Sequence, residues 1–338
     1  MKILSIETSC DETAASVLEF NKNKIRVLSN TISSQVKIHA KYGGIVPEVA
    51  AREHILKIIP IIELAFKKAK TKIREINAIA VVSGPGLITS LIIGLETAKT
   101  LAFVFKKPLI SINHLEAHIY SNWLTNKKIQ FPVLNLMVSG GHTELILMTN
   151  HGKYKKIGQT LDDAAGECFD KVAKLLKIGY PGGPIIEKMA RKGNENAYVL
   201  PRPMIDSKDF NFSFSGLKTA VLYSIRDNKS ILKQKNDFCA SFQKVAIDVL
   251  VHKTIKASKL YKVKTIALSG GVAANHKLRE ELRKLTKKQL SKTAFIYPKL
   301  EYCTDNAAMV ACAAYFHYQK KDFTPWSKIK VDPNRELE

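Results

Sequence analysis

Short runs rich in β-branched residues alternate with longer amphipathic runs along this 338-residue chain, and that alternation constrains its fold more than any other feature. Lys2–Ser9, Ile25–Thr31, Ile79–Ser83, Leu109–Asn113, Val133–Ser139, Glu144–Thr149, Lys264–Ser269 and Ala294–Tyr297 have the length and composition of strands. Val49–Lys70, Leu87–Phe105, Leu115–Trp123, Ala164–Leu176, Phe238–Tyr261 and Asn306–Gln319 carry a helical pattern. Strands interleaved with helices imply an α/β fold whose sheets are covered by helices. Val133–Ser139, then Gly140-Gly141, then the run from His142 reads as a hairpin, so mixed sheets with hairpins and crossover helices are expected. Single cores stop growing near about 250–300 residues, which predicts two domains here. Leu136–Gly141 is echoed by Ile266–Gly271, each an apolar strand ending in Ser-Gly-Gly, and the echo favours an internal duplication. Arg191–Ser215, with Pro201 and Pro203, is the clearest long loop, and loops of that length tend to be functional. The tail after Phe323, holding Pro325 and Pro333, is expected to be a poorly packed extension.

Composition narrows the partners. At 46% hydrophobic and 25% charged, the chain is neither disordered nor fibrous. Its 53 Lys and Arg against 30 Asp and Glu leave a net charge of +23, which favours a polyanion, nucleic acid first and an anionic membrane second. Arg makes up only nine of those basic residues, and a Lys bias of that kind also follows from an AT-rich genome. The five cysteines include no CxxC pair, which argues against a disulfide framework or a Cys-type zinc site and for a reducing cytoplasm. Glu7 interrupts the first apolar run where a secretory segment would continue, and Glu96 and Lys99 interrupt Leu87–Phe105, so no membrane span is expected.

His114-Leu115-Glu116-Ala117-His118 is the sharpest motif. Two His at i and i+4 share a helix face with Cβ atoms about 5–6 Å apart, and both rings can reach one metal ion at about 2.0–2.1 Å. The Glu stands third rather than second, so the glutamate base of HExxH is missing. Two surface or capping His would look the same in sequence. Asp305, in Cys303-Thr304-Asp305-Asn306, is a candidate third ligand, although an acid at a helix start is also favoured as a cap. Two His and one carboxylate leave positions open for substrate and suit Fe(II) or Zn(II). Glycine-rich turns at Ser83–Gly86, Ser139–Gly141, Tyr180–Pro184 and Ser269–Asn275 let backbone N–H groups approach an anion. With no Walker sequence and no GxGxxG, they suggest a nucleotide held by hairpin and turn backbones. Asp11-Glu12 follows the first strand. Asp163, Glu167 and Asp170 fall on one helix face, where like charges need water, a ligand or a basic partner.

Taken together, these motifs resemble the tRNA threonylcarbamoyl-adenosine synthesis transferases of the bacterial TsaD type, formerly described as O-sialoglycoprotein endopeptidases. The resemblance runs from Ile3–Thr13 through Tyr42–Glu48, Arg52-Glu53-His54, the two-His helix, Ser139–Glu144, Leu161–Ala164, Phe169–Lys171, Tyr180–Pro184, Phe212–Lys218 and Ser269–Asn275 to the helix after Asp305. It implies a two-lobed actin-like (ASKHA) fold with duplicated mixed-sheet domains. One lobe would span 1–112, completed by the helix near 305–320. A second lobe with the nucleotide-binding turns would span 113–304, and 323–338 would be an extension.

The resemblance further implies transfer of a threonylcarbamoyl group from threonylcarbamoyl-AMP to N6 of adenosine 37, just 3′ of the anticodon, in tRNAs reading codons that begin with adenine. His114, His118 and Asp305 are then the ligands of one divalent metal per subunit, Fe(II) by usual assignment and Zn(II) otherwise. Met137, Val138, Ser139, Gly140, Gly141, Asp170, Gly183, Glu187 and Asn275 are the nucleotide contacts, Glu187 standing where some relatives have Asp. Asp11 or Glu12 is the candidate proton acceptor. Implied partners are tRNA, a smaller TsaB-like actin-like paralogue and a TsaE-like ATPase, with no membrane. Rival classes fit less well: a metalloprotease lacks its base on the two-His helix, Mg-ATP kinases favour carboxylates and water over His, and a bare scaffold would have no need to keep the His pair.

Overall fold

The structure, a computed structural model, describes residues 1–21, 24–126 and 128–337. The chain divides into two units, Met1–Lys127 with Pro298–Glu338, and Lys128–Tyr297. The first unit opens with β1 (Lys2–Glu7), β2 (Glu12–Asn21) and β3 (Lys24–Ser34). It continues through α1 (Val36–His39), α2 (Pro47–Ala69), β4 (Ala78–Gly84), α3 (Ile88–Val104), β5 (Leu109–Asn113) and α4 (His114–Tyr120). The second unit contains β6 (Val133–Val138), β7 (Thr143–Asn150), β8 (Lys153–Gln159), α5 (Ala165–Leu175), α6 (Gly182–Ala190) and α7 (Ser215–Asp227). It closes with α8 (Lys235–Leu260), β9 (Thr265–Ser269), α9 (His276–Gln289) and β10 (Ala294–Ile296), after which α10 (Ala307–Gln319) returns to the first unit.

The two sheets are ordered β3-β2-β1-β4-β5 and β10-β9-β6-β7-β8. In the first, β1 pairs antiparallel with β2 and parallel with β4, and β4 pairs parallel with β5. In the second, β6 pairs antiparallel with β7 and parallel with β9, and β9 pairs parallel with β10. Counted from its own first strand, each sheet therefore reads 3-2-1-4-5 with the same strand directions, and the expected hairpin is β6–β7. The duplication lies in this topology. The Ser-Gly-Gly echo is something else: its two copies end β6 and β9, parallel neighbours in one sheet, with Leu136 opposite Leu268.

Strands at the sheet centres are apolar on both faces because helices cover both. Leu4 and Ile6 join Ile58, Ile62 and Leu95 of α2 and α3 in one core cluster. Ser5, between them, points the other way and donates its hydroxyl to the Ala307 carbonyl of α10 at 2.6 Å. Residues 113–127, assigned from sequence to the second lobe, lie in the first unit, since α4 continues directly from β5 and packs on α10. The tail is also better packed than expected. Ile329 is buried in the first unit's core with Val331 packed against that core, and the Asp332 N–H donates to the Ser83 carbonyl at 2.8 Å. Among the described residues no helix is long and apolar enough to cross a membrane.

Candidate active site

The two-His helix starts where β5 ends. Asn113 is its N-cap, the side-chain Oδ1 accepting the N–H groups of Leu115 at 2.8 Å and Glu116 at 3.3 Å. One turn apart, the rings of His114 and His118 meet edge to face with centroids 4.7 Å apart. Asp305 comes to them from the turn before α10. The cap of that helix is Asn306, which accepts the Met309 N–H, so capping does not account for Asp305. Instead its Oδ1 lies 3.0 Å from His118 Nε2 and 3.6 Å from His114 Nε2. One ligand atom from each of His114, His118 and Asp305 lies within 4.8 Å of the others. Glu116 is turned elsewhere, 2.9 Å from His317 Nε2.

These residues fit a divalent metal by their donor chemistry. Glu7 Oε2 lies 3.2 Å from His114 Nδ1, with Ser9 Oγ at 3.1 Å. In the neutral ring that a metal ligand must be, a carboxylate behind the ring N–H fixes the tautomer and leaves the opposite nitrogen as the lone pair. Burial works against a charge on His114, but Asp305 and then Glu7 outweigh it and push its pKa up to about 9, so this pocket favours positive charge. His118 Nδ1 is buried with no hydrogen-bond partner among the described residues. Two imidazoles and one carboxylate suit Fe(II) with open positions, or Zn(II).

The Asp11-Glu12 pair borders the same region. Burial, then the negative charges of Asp305 and Asp11, push the Glu12 carboxyl well above the usual carboxylate range. His54, buried in α2, holds this loop from behind, its Nε2 3.0 Å from the Cys10 carbonyl and its Nδ1 2.8 Å from Thr13 Oγ1.

In the second unit the Ser-Gly-Gly hairpin is a tight turn in which the Ser139 N–H donates to the His142 carbonyl at 2.8 Å. It is braced by two other glycines. A Cβ at Gly166 would run into the Ser139 carbonyl, and one at Gly270, where φ is +87°, into the Val138 carbonyl. Gly140, Gly141 and Gly183 face open space, and a Cβ there would meet nothing within 4 Å. Met137 and Val138 are fully buried in β6, which leaves the turn itself as the part a ligand can approach.

The expected acids of this unit are engaged. Asp170 Oδ1 accepts the Gly182 N–H at the start of α6 at 2.7 Å, and burial raises its pKa. Glu187 Oε1 accepts from Arg191 Nη2 at 2.9 Å and from the His276 N–H at 3.0 Å. Asn275 caps α9 by accepting the Leu278 N–H at 3.0 Å and donates to Gln243 Oε1 at 2.9 Å. Glu187, Gln243 and His276 line a cavity of about 420 Å³ together with Arg191, Lys244 and Lys277, within the roughly 300–1,000 Å³ usual for small-molecule sites. Asp163 stands before the N-cap of α5 rather than on the helix face expected for it, and pairs with Lys171 at 2.7 Å and Lys218 at 3.0 Å.

Sequence reasoning did not single out Glu7, Ser9, Asn113 or His54 for a role. An acid ending an otherwise apolar strand was the available signal for Glu7, because carboxylates are seldom fully buried without a partner.

Comparison with known proteins places these features in context. The family model for TsaD, tRNA N6-adenosine threonylcarbamoyltransferase, matches residues 26–312. Curated proteins of that name are similar over their whole length. The one from Thermosipho melanesiensis is 49% identical, covering 100% of both chains, and the one from Desulfitobacterium hafniense is 50% identical, covering 97% of this chain and 95% of the relative. Among solved structures, HypF of T. kodakarensis superposes with a TM-score of 0.64 at 16% identity, over 95% of this chain and 48% of that one. Component A of the Acidaminococcus fermentans (R)-2-hydroxyglutaryl-CoA dehydratase gives 0.56 at 14%, over 95% and 99%. At such identities the likeness shows the fold alone, the actin-like ATPase (ASKHA) type.

Proposed function

Because the chain belongs to the tRNA N6-adenosine threonylcarbamoyltransferase family, we propose that in the cytoplasm it transfers the threonylcarbamoyl group of threonylcarbamoyl-AMP to N6 of adenosine 37 in tRNAs reading codons that begin with adenine, releasing AMP. The observation that carries the reading is the His114–His118–Asp305 cluster, with Glu7 fixing one of its imidazoles.

The donor is a mixed carbamic–phosphoric anhydride. N6 attacks the carbamoyl carbon, a C–N bond forms, the C–O bond to phosphate breaks with its electron pair leaving on AMP, and N6 loses a proton. AMP is a good leaving group, but the N6 lone pair is delocalised into the adenine ring, so positioning and charge stabilisation must supply most of the acceleration. His114, His118 and Asp305 would hold a divalent metal, Fe(II) or Zn(II), which when bound would supply Lewis-acid stabilisation of phosphate or carbamoyl oxygen charge. The open backbone of Ser139–Gly141 and Gly183 receives the donor's phosphate and nucleoside, and Asp170, Glu187 and Asn275 orient its ribose and adenine. Asp11 or Glu12 accepts the N6 proton.

The surplus of 23 positive charges supports tRNA as the macromolecular substrate. A protein partner is supported by the apolar face that α2 and α3 expose, where Ile55, Leu56, Ile59, Ile88 and Ile92 are all exposed. A TsaB-like paralogue is proposed to cover it, with a TsaE-like ATPase joining the assembly. The decisive test is mass analysis of tRNA nucleosides from cells or reconstituted reactions carrying His114→Ala. Loss of threonylcarbamoyl-adenosine by two or more orders of magnitude is expected, and a rate within a few-fold of wild type removes the metal from the mechanism.

A further inference from the structure

The tail beyond α10 crosses the carboxyl ends of β4 and β5 and finishes on the residue that caps the two-His helix. Ile329 is buried in the first unit's core and anchors it. From there the Asp332 N–H donates to the Ser83 carbonyl at 2.8 Å, and the Pro333 carbonyl accepts the Gly86 N–H at 3.2 Å. Arg335 Nη1 donates to Ser83 Oγ at 2.6 Å and Ser111 Oγ at 2.8 Å, one serine from each strand. Gly84 is shaped for this passage: its φ is +156°, and a Cβ there would overlap the Asp332 carbonyl.

The last link is to Asn113. Its Nδ2 donates to the Arg335 carbonyl at 3.2 Å and the Glu336 carbonyl at 3.0 Å, while its Oδ1 accepts the Leu115 and Glu116 N–H groups. An amide carries its donor and acceptor at opposite corners. Two carbonyls from the tail therefore decide which corner faces the helix, and a flipped amide would turn its NH₂ on the helix N–H groups. His114 is the next residue and His118 is one turn on.

We infer that residues 332–336 act as a strap that holds the Asn113 cap and thereby sets the imidazole pair, with Asn113 and Arg335 as positioning residues. The inference rests on the metal reading of His114, His118 and Asp305 only for its effect on metal affinity; the effect on the helix start is independent of it.

The test uses the full chain, a truncation lacking residues 334–338 that keeps Ile329 and Val331, Asn113→Ala, and the double variant. Two quantities are read: amide hydrogen exchange at Leu115 and Glu116, and Co(II) affinity by chelator competition, with the visible Co(II) spectrum reporting geometry. Truncation is expected to speed exchange at those two amides about fivefold, the size of a lost cap. It is expected to weaken Co(II) about tenfold with an altered spectrum, as loss of an outer-shell support does. In the Asn113→Ala background the same truncation should add nothing to either. Unchanged exchange after truncation overturns the strap, as does a truncation effect of equal size in both backgrounds. Faster exchange in a protein whose full chain does not bind Co(II) upholds the strap and removes the metal reading instead.

Discussion

Glu7→Gln isolates one carboxylate behind one imidazole. Glu7 is fully buried; its Oε1 accepts the Ser9 N–H at 2.6 Å and its Oε2 lies 3.2 Å from His114 Nδ1. Glutamine has the same shape, and only one orientation of its amide keeps the Ser9 bond: oxygen toward Ser9, NH₂ toward His114. Nδ1 must then accept, which puts the ring proton on Nε2, the nitrogen that faces Asp305. A ligating imidazole held in the wrong tautomer must break that bond before it can bind metal. Outer-shell partners of metal-bound His carry about 10–100-fold in affinity, which is about 1.4–2.8 kcal/mol at 1.4 kcal/mol per tenfold. Chelator competition with Co(II) or Zn(II) at pH 7.5 reads this directly, and threonylcarbamoyl transfer should fall in parallel. The melting temperature of the metal-free protein should move little, because shape and the Ser9 bond are retained. Metal affinity within twofold of wild type would refute the claim that Glu7 sets the His114 tautomer.

Two glycines of the hairpin region should respond oppositely. Gly166→Ala drives a Cβ into the Ser139 carbonyl and should destabilise the second unit by about 1–3 kcal/mol in urea denaturation. Gly140→Ala meets nothing within 4 Å and should unfold like wild type, yet the proposed approach of a phosphate to this turn backbone predicts AMP binding at least tenfold weaker by calorimetry. Burial raises the Asp163 pKa, but Lys171 and then Lys218 outweigh it and hold it below the usual carboxylate range. The stability it contributes, about 1 kcal/mol given its partly exposed partners, is present above the unfolded pKa near 3.9 and lost as pH falls through the lower folded value. The unfolding free-energy gap between wild type and Asp163→Asn should therefore hold from pH 7 down to about pH 5 and narrow as pH falls below about 4; a pH-independent gap counts against the pairing. Binding of tRNA should weaken steeply as salt rises from 50 to 200 mM, and a flat response would separate the net charge from RNA recognition.

How much of this was legible in the sequence depends on how far apart the partners lie along the chain. His114 and His118 announce themselves by a spacing of four, because a helix turns local spacing into a shared face. Glu7 and Asn113 need the knowledge that β1 and β5 deliver their ends to one place, which no local pattern holds. Elements were missed where composition hides burial. Only Leu278, Leu282 and Thr286 of α9 are buried among its many charges. β8 is an edge strand rich in Lys, and β2 buries Ala14, Ala15 and Ser16, small residues with little strand character. The tail was read from its prolines, whereas Ile329 and the backbone carbonyls of Asp332–Glu336 decide where it goes.

The shared 3-2-1-4-5 topology also says where an internal sequence echo ought to be sought. Topologically equivalent strands are β1 with β6 and β4 with β9, so the comparison that bears on duplication is Val81-Val82-Ser83-Gly84 with Ala267-Leu268-Ser269-Gly270. Both are buried parallel strands running into Ser-Gly, and in both the glycine admits a carbonyl that a Cβ would exclude: that of Asp332 in the first unit and that of Val138 in the second. Open α/β sheets bind ligands outside the carboxyl ends of their strands, and each unit collects its chemistry there. In the first, the ends of β1 and β5 supply Glu7 and lead into His114; in the second, the ends of β6 and β9 lead into Ser139–Gly141 and on to Asn275. One topology has thus been fitted with acids and imidazoles in one copy and with bare glycine backbone in the other.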